Sequence, residues 1–167
     1  YYKVPKSFCT SRYKGTFLFL GKRNVFMNLL LTPYQKSDTF EKEYIAYEGE
    51  YFTIEWFYSR NEKSDVLDFF NAFADSQKRK VLILFKRMGD AGRINDVTKF
   101  RNEGDKIFAF KPQPDRFLSF SHTGKKIILT NAFCKKSDKM PKNEKEKAHQ
   151  RMNDYLARVA EGTYYEK

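Results

Sequence analysis

In the second half of the chain, apolar residues recur at every second position in three short runs. Residues 106–111 carry Phe108 and Phe110 two apart. Residues 116–120 place Leu118 and Phe120 on the same side as Arg116. Residues 127–133 place Ile127, Leu129, Asn131 and Phe133 on one side. A period of two, broken by Pro and Gly clusters, predicts strands. Pro112 and Pro114 end the first run, because neither can donate to a ladder. Residues 121–124, Ser-His-Thr-Gly, predict a hairpin turn. The period then changes. Ala148, Met152, Tyr155, Leu156 and Val159 form one stripe at helical spacing. Pro141 suits the first turn of that helix, Glu144 and Glu146 its positive end, Arg151 and Arg158 its later turns, and Gly162 lies just past its end.

Upstream, residues 51–58 alternate through Phe52, Ile54 and Trp56 and predict another strand. Ser64 can cap a helix with Asp65 and Asp68 in its first turn, and Val66, Leu67, Phe70, Phe73 and Ala74 follow at helical spacing. Asp75 or Ser76 opens a second helix that buries Val81, Leu84, Phe85 and Met88, with Gly89 as its expected end. The run 81–85 taken alone also fits a buried strand, but the basic residues on both sides of it favour a helix. Residues 89–95 are expected as a loop, and 97–101 are too short to assign. In the first part of the chain, 16–20 and 25–31 are expected as short strands, and 38–47 as a helix with Phe40, Tyr44 and Tyr47 on one side. Gly49 marks a boundary. The expected organisation is an N-terminal extension over 1–48, a domain over 49–160 able to fold by itself, and a tail over 161–167. The extension either packs on the domain or serves as a partner-binding arm. The fold class is α+β: a small antiparallel sheet with a helical hairpin and a C-terminal helix against one face.

Composition adds a partner. The 167 residues are 41% hydrophobic, with 17 Phe and 11 Tyr, enough to fill a core. Formal net charge is +11, and residues 106–158 hold 13 Lys or Arg against five acids, a net +8. Such a balance predicts a polyanionic partner. Cys9 and Cys134 make neither a disulfide framework nor a metal quartet, which suggests a reduced cytoplasmic setting. No apolar run approaches the ~20 residues that span a bilayer. The run 17–20 is too short for the apolar part of a signal peptide. His122 and His149 have no Cys or carboxylate at ligand spacing, so no metal or other cofactor is expected.

RNA cleavage needs no metal. The ribose 2′-OH already lies beside the phosphate it attacks. A protein has to bend the backbone into line, move two protons and stabilise the extra negative charge on phosphorus oxygens. Arg and Lys supply that charge, Arg through a fork that matches phosphate. Antiparallel pairing through the 121–124 turn brings Arg116 beside residues 131–135, and Lys111 lies across the other turn.

These pieces also carry a resemblance. A strand with Arg116, the turn Gly124-Lys125-Lys126, the apolar strand ending in Phe133, the pair Lys135-Lys136, and Pro141 opening a helix through residues 148–156 resemble the RelE/HigB superfamily of bacterial toxins, in its phage-derived branch. The resemblance extends upstream to about residue 51. It implies a RelE-like fold and the toxin of a type II toxin–antitoxin pair. Such a toxin acts as a metal-independent mRNA endoribonuclease on the ribosome and arrests translation. Its implied partners are mRNA, the ribosome and a neutralising antitoxin, expected as a helix-turn-helix protein; no membrane is involved. Arg116 matches the strand position whose basic residue contacts the scissile phosphate, and Lys135 and Lys136 match the family's basic pair. These three are the expected catalytic residues. Lys111, His122, Lys125, Lys126, Lys142 and Arg151 are the expected RNA contacts. A His in a hairpin turn is most often simply solvated, with RNA contact or acid–base work as the functional alternative for His122, and the acid and base stay unassigned. Two other readings remain open: a non-catalytic nucleic-acid-binding module, and a toxin-fold protein with another target such as a topoisomerase.

Overall fold

The computed structural model describes residues 44–135 and 140–166, which belong to the compact unit Glu43–Lys167. The strands expected at 16–20 and 25–31, and the start of the helix expected at 38–47, lie outside the described residues. The elements are β1 (Ile45–Glu48), β2 (Thr53–Trp56), α1 (Asp65–Asn71), α2 (Asp75–Ala91), β3 (Phe100–Gly104), β4 (Ile107–Phe110), β5 (Asp115–His122), β6 (Lys126–Cys134) and α3 (Lys142–Ala160). The fold class is α+β, as expected. No helix among the described residues is long and apolar enough to cross a membrane.

The six strands form one sheet in the order β1-β2-β6-β5-β4-β3. Its pairings are antiparallel except that of β2 with β6, which is parallel, so the sheet is mixed rather than purely antiparallel. β1 occupies what was expected as the end of a helix. The reason is tertiary: β1 pairs with β2, and the Trp56 amide donates to Tyr44 O at 2.7 Å. The aromatic spacing of Tyr44 and Tyr47 suits a helix, but it yields to the ladder.

Helices cover both faces of the sheet, not one. Val66 of α1 and Val81, Leu84, Phe85 and Met88 of α2 pack on Ile54, Trp56, Phe110, Phe117, Ile127 and Leu129. On the other face Ala148 and Tyr155 of α3 pack on Ile107, Ala109, Leu118, Phe120, Ile128 and Phe133. Consecutive apolar residues such as Ile127-Ile128-Leu129 are the sequence's sign of a strand buried on both sides.

A bulge breaks the register of β6. Leu118 pairs with Asn131 and Ser119 with Leu129, so Thr130 is an extra residue. An inserted residue inverts the alternation beyond it. Ile127 and Leu129 therefore face α1 and α2, while Phe133 faces α3 and Asn131 donates from Nδ2 to Glu144 of α3. The single face expected for these four residues is split in two.

Ser64 caps α1 as expected, its hydroxyl accepting from the Leu67 amide. Gly89 does not end α2. It is buried inside the helix, where a Cβ would meet the Tyr47 ring at 2.7 Å, and its carbonyl accepts from the amides of Tyr51 and Phe52. The stop is Gly92, at φ 69°. The unassigned residues 97–101 lead into β3, a mostly exposed edge strand tied down by Phe100, which stacks on Phe108. After α3 the chain turns back, and the nearly fully buried Tyr164 accepts the Tyr58 amide on its hydroxyl.

Candidate functional site

The site is built at one end of the sheet. Phe110 pairs with Phe100 and Phe117, and Arg116 pairs with Phe133. The start of β5 therefore lies between the ends of β4 and β6, with the start of β3 beyond. This topology gathers Lys111, Arg116 and Lys135, as the hairpin argument expected.

Arg116 is only 6% exposed. Its Nη1 donates to Asp115 O at 2.8 Å, Pro114 O at 3.3 Å and Gln113 Oε1 at 3.4 Å. Lys111 is 8% exposed and donates to Val97 O at 3.0 Å, with Glu103 Oε1 at 3.9 Å. The Lys135 amide donates to Pro114 O, which ties the end of β6 to the same corner. Gln77, in the first turn of α2, sends its Nε2 into the corner from the other face.

Burial dominates the electrostatics. It pulls the Arg116 guanidinium down from its ordinary value, opposed by Glu103 and Asp115. It also pulls the Lys111 ammonium down; Glu103 opposes this, while Arg101, Arg116 and Lys135 push it further. Burial pushes the Asp115 carboxyl up, against Gln77, Arg116 and Lys80. The corner thus holds partly desolvated cations of like sign, whose charged forms an incoming anion would favour.

The other expected residues do not converge on this corner. Lys136 lies outside the described residues. His122, Lys125 and Lys126 sit at the opposite end of β5. His122 is six residues from Arg116, about 20 Å at the rise of an antiparallel strand. The turn is tighter than expected, since His122 still pairs with Lys126. Lys125 is exposed in that turn at φ 60°. Lys126 bonds Glu55 Oε1 and Tyr165 OH, both at 2.9 Å. His122 lies edge-on to Tyr155, whose hydroxyl is 2.8 Å from that of Tyr165. Lys142 is exposed as the first residue of α3. Arg151 is half-buried, its Nη1 donating to Thr130 O at 2.8 Å and its Nη2 paired with Asp65. It also borders an open cleft with Phe57, Asn61 and Gln150.

Sequence reasoning missed three members of the corner. Glu103 and Arg101 were hidden because β3 carries almost no alternating apolar pattern. Gln77 was hidden because a polar residue in a first helical turn gives no sign of where its amide points.

A mixed sheet covered on both faces, with a basic corner where its strands end, defines this as an α+β domain. Residues 68–153 match the family described as Phage derived protein Gp49-like. That is half of the chain, and the chain belongs to this family. The matched span begins within α1 and ends within α3, so it includes the whole corner. No curated protein matches the chain.

Proposed function

We propose that this protein is the toxin of a type II toxin–antitoxin pair, of the RelE/HigB kind, and that it cleaves mRNA on the ribosome. Its family is related to toxin–antitoxin toxins. The observation that carries the reading is the corner itself: Lys111, Arg116 and Lys135 brought together from the ends of three strands, with Arg116 and Lys111 nearly buried. In this reading the ribose 2′-hydroxyl gives up its proton to a base while its oxygen attacks the adjacent phosphorus. The 5′-oxygen of the next nucleotide leaves and takes up a proton, and a 2′,3′-cyclic phosphate remains. Arg116 donates to the non-bridging oxygens as their charge grows, and Lys111 and Lys135 add to the positive potential. An antitoxin neutralises the protein by wrapping the domain or covering this end of the sheet.

The test is expression without an antitoxin, with growth followed and mRNA 5′ ends mapped. Growth arrest with new 5′-hydroxyl ends is expected. Harmless expression overturns the reading, and DNA damage without mRNA cleavage redirects it to a topoisomerase. The net +8 of residues 106–158 fits a second reading equally, a module that binds RNA without cutting it. Tight RNA binding with no cleavage would select that reading.

A further inference from the structure

The 112–115 corner has two prolines, Pro112 and Pro114, which have no backbone N–H to give a ladder. Side chains supply most of its hydrogen bonds. Gln77 Nε2 lies 2.6 Å from Asp115 Oδ2, 2.9 Å from Pro112 O and 3.2 Å from Gln113 O. Arg116 Nη1 holds the rest, taking Pro114 O, Asp115 O and Gln113 Oε1. Pro112 O and Gln113 O are therefore held by an amide reaching from α2, and Pro114 O and Asp115 O by a guanidinium reaching from β5, with the Lys135 amide as a second donor to Pro114 O. Gln77 stands on a rigid support, since Val81, Leu84 and Phe85 anchor α2 in the core.

We infer that Gln77 is a positioning residue that fixes the 112–115 corner and so sets where the Arg116 guanidinium meets a phosphate of bound RNA. The inference rests on the RNA-cleaving reading proposed above. Gln77 acts from α2's face of the sheet and does not touch RNA itself. Losing it leaves Pro112 O and Gln113 O without their donor, and Arg116 is then bonded to a corner that can shift.

The experiment uses the full chain with Gln77→Ala, Arg116→Ala and the double variant. Cleavage of ribosome-bound mRNA is measured as kcat and KM, with melting temperature and the NMR signal of the Arg116 Nε–H beside it. Gln77→Ala is expected to lower kcat roughly ten- to hundredfold with KM unchanged, as misplacement of a catalytic group does. In the Arg116→Ala background the same change is expected to cost almost nothing, because the two side chains act as a unit. Gln77→Glu should recover kcat only in part at acidic pH and lose it as pH rises, because the introduced carboxyl offers one O–H to the amide's three acceptors, and only while protonated. The charged groups around that pair are Lys80 of α2, Arg116 of β5, Arg101 and Glu103 of β3, and Lys111 and Lys135. An undiminished kcat in Gln77→Ala, or the same fold-loss in both backgrounds, overturns the inference and leaves the proposed function standing. If the unaltered protein cleaves no RNA, the proposed function falls. The Arg116 signal then decides: a shift in Gln77→Ala upholds the positioning role, and an unmoved signal removes it.

Discussion

Asp115 and Arg116 are adjacent in the chain, yet strand alternation sends them to opposite faces of the sheet. Asp115 meets Gln77 of α2, a neutral donor, in a site only 4% exposed. Its raised value means that the fold prefers the neutral acid. Below the unfolded value both states are protonated and nothing is gained or lost. As pH rises from there through the folded value, stability falls. Asp115→Asn keeps an acceptor for Gln77 and removes the charge. It should therefore melt at least as high as the parent at pH 7, and calorimetry should show this advantage vanish at strongly acidic pH. A variant that melts lower at pH 7 alone would mean that the charged carboxylate is stabilising. Arg116→Ala is expected to slow mRNA cleavage by about 10²–10³, the typical cost of losing transition-state charge stabilisation. Arg116→Lys should recover only part of this, since it loses the fork. Arg116 also holds the corner's carbonyls, so Arg116→Ala should cost about 1–3 kcal/mol in urea unfolding while the far-ultraviolet dichroism stays the same. Cleavage at the parent rate by a folded Arg116→Ala protein would remove Arg116 from the mechanism.

At the scale of elements, two features set the geometry. The Thr130 bulge lets one strand serve both cores: it turns Ile127 and Leu129 toward α2, and Asn131 and Phe133 toward α3. The β1–β2 hairpin meets α2 where Gly49 and Gly89 touch. A Cβ on Gly49 would stand 2.3 Å from the Gly89 carbonyl carbon, a backbone atom that cannot rotate away. Gly49→Ala should accordingly cost about 3 kcal/mol or more, the upper end of overpacking. Gly124 is the control. A Cβ there meets nothing within 4 Å, and only its φ of 75° opposes a side chain. Gly124→Ala should cost about 1–2 kcal/mol. Equal losses in denaturant titrations of the two variants would refute the close-contact explanation.

Over the whole molecule, charge and boundaries carry the predictions. With +11 net and +8 in residues 106–158, RNA binding should weaken steeply with salt. A footprint of 6–10 phosphates implies a loss of about 10³–10⁵ in affinity between 50 and 200 mM salt. A flat salt profile in filter-binding assays would exclude phosphate contacts as the main attraction. The ends of the unit matter for stability. Tyr164 is 1% exposed and packs against Tyr155 and Tyr44, so Tyr164→Ala should cost about 3–5 kcal/mol, as for other large buried aromatics. A chain of 43–167 should unfold in one cooperative transition. A chain of 49–160 lacks both β1 and Tyr164 and should unfold at clearly lower urea. An unchanged midpoint would show that β1 and the tail add nothing to the core.

What the sequence determined by itself is the local grammar. Period two with flanking Pro and Gly located β4, β5 and β6; Ser64 and the apolar stripes located α1, α2 and α3; and hairpin pairing put Arg116 beside the end of β6. These follow from backbone sterics and side-chain alternation, which act over a few residues. The likeness to a phage-derived family and the excess of positive charge were likewise legible without a fold. The tertiary structure decided everything that depends on which face meets what. It made β1 a strand, because Tyr44 O needed the Trp56 amide more than the aromatic spacing needed a helix. It put α3 on the face opposite α1 and α2, because β4 to β6 are apolar on both sides. It separated His122, Lys125 and Lys126 from Arg116, because a strand carries its two ends apart. It brought Gln77 to Asp115 across 38 positions of sequence. No local pattern encodes that meeting, since it exists only once α2 has packed on the sheet.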